Sequence, residues 1–243
     1  MKRRTSSELK SMAREALCGN YGTFIGVTLI YGIISALLTC IPSFVIPNNT
    51  SYFMVALRFI ISFLIELLVV VLAAGISKMA LNVSRGEAIT VGDLFYAFRH
   101  HPDRFLILGL VLSLISTVCQ LPSYILTFTA DFSDGSISNI LGRTTLMLLF
   151  LVVGSLVSVV ITLAFSMSTM LLVDYDDISA VESLKESVAM MRGNKWRYFY
   201  VMTLSFLGLA VLSVFGLYIP LLWIMPYMNV TGAFFYRELN NEL

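Results

Sequence analysis

The chain has 243 residues, of which 58% are hydrophobic and only 13% carry a formal charge. A water-soluble domain carries roughly twice that charged share, so the soluble classes are excluded and lipid is the expected solvent. Sixteen Lys and Arg against fifteen Asp and Glu leave a net charge of +1, which excludes a broadly basic nucleic-acid binder.

The first predicted element precedes any apolar span. Thr5-Ser6-Ser7-Glu8 forms a capping-box pattern, and Leu9, Met12, Ala13, Ala16 and Leu17 then make one apolar stripe beside Lys10 and Arg14. The spacing predicts an amphipathic interfacial helix over about 6–18, ended by Gly19 and Asn20, residues that tolerate a left-handed cap. The apolar stretch that follows starts too late and is too long for a cleavable signal, so it is expected to act as an uncleaved anchor.

About 20 apolar residues cross a hydrocarbon core of about 30 Å as a helix. The first span runs over about 21–41 and is closed by Pro42 and Pro47. The second covers 53–77, interrupted by Arg58 near its start and Glu66 at its centre, with Lys78 at its exit. A second interfacial element is expected over 90–99, capped by Thr90 and Asp93, carrying Leu94, Phe95 and Phe98 and stopped by Pro102. Spans three and four cover 105–128 and 144–173. A third interfacial helix over 179–192 repeats the first: Ser179 and Glu182 form the box, Val181, Leu184, Val188 and Met191 the stripe, and Gly193 and Asn194 the terminator. Its box and terminator lie 174 residues beyond those of the first copy.

From Tyr198 to Tyr236 there is no charged residue, a run too long for one crossing. Gly216 and Pro220 near its middle predict a hairpin of two short spans, 198–215 and 221–235. The expected fold is therefore all-α: a single membrane domain over 1–243, with six spans and interfacial helices, arranged as three successive hairpin units. A five-span arrangement with a re-entrant last segment is the rival. Six spans place fourteen of the sixteen cations on one side and leave only Arg58 and Arg143 on the other, which predicts both termini in the cytoplasm.

The run 191–199 (MRGNKWRYF), then 204–208 (LSFLG), 222–227 (LWIMPY) and Phe235-Tyr236 resembles a bacterial integral membrane family known as domain of unknown function nine hundred seventy-five. The segment from Leu9 to Asn20 is similar to that family's amino-terminal element. The resemblance implies a bacterial inner-membrane protein and supplies no catalytic residues.

Candidate site residues are few. Glu66, near the middle of span two, is expected to face protein or water, either as a proton or cation site or as a neutral acid bonded to a nearby hydroxyl. Gly154, Ser158, Thr162 and Ser166 recur every fourth residue, a stripe suited to close helix packing or, more sharply, to a polar transport lining. Tyr21, Phe24, Trp196 and Tyr198 are expected as anchors at headgroup level. Asp174, Asp176 and Asp177 lack a loop signature for a hard cation, and the adjacent His100 and His101 lack metal-ligand spacing. Cys40 and Cys119 could pair, although buried thiols are the default for all three cysteines. Asn48-Asn49-Thr50 matches a glycosylation pattern that a bacterium would not use. With no catalytic or phosphate-binding motif, neither an enzyme nor a cofactor is expected. The leading reading is a non-enzymatic membrane protein touching lipid, a protein partner or a second copy of itself; the alternative is a transporter component using Glu66 and the span-four hydroxyls.

Overall fold

The computed structural model describes residues 3–46, 52–129, 137–215 and 219–243, so the Asn48-Asn49-Thr50 pattern and the Gly216 turn lie outside the described residues. Among the described residues the chain is helical, without a strand. In order come α1 (Ser6–Leu17), α2 (Tyr21–Val45), α3 (Tyr52–Arg85), a 3₁₀ turn (Val91–Phe95) running into α4 (Tyr96–Arg99), α5 (Pro102–Thr129), α6 (Ile137–Ala164), α7 (Ser168–Asp174), α8 (Ala180–Met191), α9 (Lys195–Phe199), a π turn (Tyr200–Leu204), α10 (Ser205–Phe215) and α11 (Leu221–Leu239). Five stretches, beginning at Tyr21, Phe53, Pro102, Ile137 and Lys195, are long and apolar enough to cross a membrane.

The two capped helices are built alike. Thr5 N–H donates to Glu8 Oε2 at 2.6 Å while Glu8 N–H donates to Thr5 Oγ1 at 3.3 Å. Ser179 and Glu182 make the same exchange at 3.1 and 3.2 Å. Each helix has 12 residues and is followed by a glycine at positive φ, Gly19 at 89° and Gly193 at 79°. That conformation costs an L side chain strain, so glycine lets the chain turn sharply into the next helix. The third copy differs: Thr90 and Asp93 form the box, but they open a 3₁₀ turn and one short helical turn in place of a helix over 90–99.

Ion pairs and hydrogen bonds bring the ends of α3, α7 and α11, and the starts of α1, α5 and α9, to one face, which we call the headpiece. The helices α2/α3, α5/α6 and α9–α10/α11 thus form three hairpins open toward it. The main core also sits there. Val71 to Val83 on α3, Leu171 to Val173 on α7 and Val230 to Tyr236 on α11 supply half of its buried side chains, and Leu9, Ala13 and Leu17 of α1 and Leu94 of the 3₁₀ turn help to close it. At Gly75 a Cβ would overlap the Leu94 backbone, so only glycine lets the 3₁₀ turn lie directly on α3. The opposite half of the bundle is mostly apolar and outward-facing; on α6 only Gly154 and Ala164 are buried.

The hairpins differ in reach. From Arg85 back to its start α3 is about 50 Å long, against a hydrocarbon core of about 30 Å. From Arg237, held to the Ser84 carbonyl beside Arg85, α11 runs back only about 24 Å before its first residue. The last hairpin therefore stops about halfway along α3. Of the two short spans expected for the run from Tyr198 to Tyr236, the stretch beginning at Lys195 is long and apolar enough to cross a membrane. The run from Tyr198 to Tyr236 lacks charge partly because Val230, Ala233, Phe234, Phe235 and Tyr236 sit inside the headpiece, and a protein interior excludes charge as lipid does.

Three further expectations change. The stripe of α1 packs on α11 and α3, so its apolar face is spent on protein and is not laid on lipid. On α8 the buried face is Ala180, Ser183, Leu184, Ser187 and Met191, leaving Val181 and Val188 exposed. Span four breaks between α6 and α7, where Ser187 Oγ donates to the Ala164 carbonyl at 2.9 Å and accepts from Met167 N–H at 3.1 Å. A helix break inside a core leaves backbone groups to satisfy, and a buried serine does so.

Candidate functional site

Among the described residues, the headpiece gathers most of the side-chain bonds that join different helices. Arg85 at the end of α3 grips Asp174 at the end of α7 with two bonds, 2.6 and 3.0 Å, and reaches Glu242 Oε1 at 2.9 Å. The Tyr236 hydroxyl donates to Asp174 at 2.9 Å, and Arg237 Nε donates to Glu242 at 3.0 Å. Bidentate guanidinium geometry fixes the mutual rotation of these helices as well as their distance. The bond to Asp174 raises the Arg85 guanidinium above its ordinary value against the opposing effect of burial, so it stays charged. For Glu242, burial works upward, but hydrogen bonds from Arg85, Asn240 and Arg237 outweigh it and hold the carboxyl below its usual value.

Two smaller clusters complete the face. Arg197 donates to Glu238 Oε2 at 2.6 Å and to the Arg4 carbonyl at 2.7 Å, tying the start of α1 and α9 to the end of α11. Arg104, 8% exposed, donates to the Tyr175 and Ile178 carbonyls at 3.0 Å each and fixes the loop between α7 and α8. The Tyr96 hydroxyl donates to Asp176 at 3.1 Å; burial first, then this bond, pushes its phenol up to about 12. Asp174 and Asp176 thus serve as acceptors for Arg and Tyr, and no group of carboxylates, His and Cys among the described residues is arranged to hold a metal ion.

Two cavities flank these elements. One, of about 770 Å³, is a polar groove on the headpiece lined by Tyr175, Asp177, Glu182, Lys185, Glu186 and Asn240. The other, of about 560 Å³, is apolar and lies where the last hairpin meets the start of α2, lined by Tyr21, Leu209, Leu212, Ile219, Trp223 and Tyr227 among others.

The sequence-predicted site residues do not converge. Glu66 is exposed on the outside of α3, and no hydroxyl bonds it among the described residues. Gly154 is buried where a Cβ would overlap the Cys119 carbonyl of α5, which makes it a close-packing point between the two helices. Along the same stripe Ser158 is half-buried, Thr162 faces outward, and Ser166 lies past the end of α6 with its hydroxyl donating to the Leu163 carbonyl at 3.0 Å. Of the aromatic anchors, Trp196 is 82% exposed and Tyr21 lines the apolar cavity, whereas Phe24 is fully buried in the core and Tyr198 packs edge-on against Phe235. All three cysteines are free thiols, with Cys18 and Cys40 exposed. Sequence reasoning missed the Arg85–Asp174–Glu242–Arg237 cluster because Asp174 and Glu242 lie 89 and 157 residues beyond Arg85 and each residue looks like an ordinary span boundary.

An all-helical bundle with five helices able to cross a membrane, closed at one end by interlocked ion pairs, defines the class as a membrane-type helical protein. The chain belongs to the family described as Protein of unknown function (DUF975), whose match covers residues 1–242. No curated protein and no solved structure matches it.

Proposed function

We propose that the chain is a non-enzymatic protein of the bacterial cytoplasmic membrane, whose headpiece faces the cytoplasm and contacts membrane lipid and a protein partner. The observation that carries this reading is the separation of polar groups. Paired charges concentrate in the headpiece, where they hold helices together, while Glu66 and Thr162 point outward from different helices at membrane depth. A transporter component would need those groups to face a common interior path.

Orientation follows from the cations. The six-span arrangement of the sequence puts fourteen of the sixteen cations on one side, and short cytoplasmic segments collect Lys and Arg. Exposed Trp196 and Tyr200 near it suit the headgroup level. The polar groove with Asp177, Glu182 and Glu186 offers a partner an acidic face amid this basic end. Proteoliposome flux tests the reading: proton or monovalent-cation flux is expected to equal that of protein-free vesicles. Flux above that level, abolished by Glu66→Gln, would establish the transporter instead.

A further inference from the structure

We propose that the apolar cavity between α2 and the last hairpin is a binding site for one anionic phospholipid, with an acyl chain in the cavity and the headgroup on Arg14. The proposal deepens the lipid contact of the preceding reading and rests on it.

Three observations support it. First, the cavity of about 560 Å³ falls within the ~300–1,000 Å³ range of pockets that enclose one small molecule, and its walls are Leu209, Leu212, Ile219 and Trp223 with Tyr21 and Tyr227 at the rim. Second, that rim is cationic. The Arg14 guanidinium stands 6.0 Å over the Tyr227 ring. Lys10, one turn earlier on α1, donates to the Ser205 carbonyl at 2.6 Å and stands 4.1 Å over the Phe206 ring. Lys10 is thus already engaged by α10. Arg14 is exposed, and no ion pair joins it to a carboxylate among the described residues. Third, the lining residues Leu212, Ile219 and Trp223 are themselves exposed, so the cavity opens outward and an acyl chain can enter it from the bilayer. An apolar slot alone would take any lipid; an unpaired guanidinium at its mouth selects a negative headgroup.

The two tryptophans make the test direct. In proteoliposomes W196F leaves Trp223, a wall of the cavity, as the sole reporter. Brominated phosphatidylglycerol is expected to quench it with a relative binding constant about fivefold that of brominated phosphatidylcholine, the size of one cation's attraction near a bilayer surface. Adding R14Q should bring the ratio to about one, R14K should retain most of it, and R192Q, at an exposed arginine just past the end of α8, should leave it unchanged. Equal quenching by the two lipids, or a preference that survives R14Q, overturns the site. No quenching by either lipid would place Trp223 outside the bilayer and overturn the membrane reading together with the site.

Discussion

Single residues set the turns and the helix break of this molecule. Gly19 and Gly193 adopt φ of 89° and 79°, and an alanine there would pay about 1 kcal/mol for a left-handed backbone. Gly19→Ala and Gly193→Ala are each expected to lower the melting temperature in detergent by about 2–4 °C, the range that 1 kcal/mol gives a chain of this size. Ser187 is a harder case because its hydroxyl serves both sides of the α6–α7 break. Ser187→Ala leaves a buried N–H and a carbonyl without partners and should cost about 1–3 kcal/mol, read in the same melting experiment; a loss no larger than that of Ser11→Ala, an exposed serine, would contradict the assigned role.

At the level of elements, the headpiece is held by ion pairs between helices rather than within them. Asp174 is 8% exposed and Arg85 27%, so Arg85→Gln strands a mostly buried carboxylate. The expected loss is about 2–4 kcal/mol, below the top of the range for breaking a fully buried pair because Arg85 keeps part of its surface in water. Glu242 gives the cluster a pH dependence. Its carboxyl is held below the unfolded value, so its contribution is complete above that unfolded value, about 4.3, and is lost as pH falls through the lower folded value. Melting temperature should thus drop below about pH 4, and Glu242→Gln should be less stable at neutral pH and show a shallower acid limb. An acid limb identical to that of the parent would remove Glu242 from the account.

Across the whole molecule, the unequal hairpins set a depth profile that labelling can read. The bundle reading places Val45, at the far end of α2, near the opposite headgroups, and Ile219, at the tip of the last hairpin, near the bilayer midplane. With the native cysteines replaced, spin labels at Val45→Cys and Ile219→Cys are expected to differ in depth by more than 10 Å. Equal depths would restore a last hairpin that spans fully. Arg3→Cys and Asn241→Cys, at the two ends of the described chain, should react with an impermeant thiol reagent from the same side; opposite sides would break the hairpin arrangement.

Composition and periodicity determined the helical class, the two capped helices and their glycine terminators, because capping boxes and positive φ are local and depend on residues a few positions apart. What lies between two charges was less legible: a charge-free run reads the same whether lipid or protein surrounds it. Only the tertiary structure decided that Val230 to Tyr236 belong to the headpiece core, that Phe24 and the α1 stripe face protein, and that Glu66 faces out. Each depends on which partner packs across the space, and partners distant in sequence, such as Arg85 with Asp174 and Glu242, leave no periodic trace in the chain.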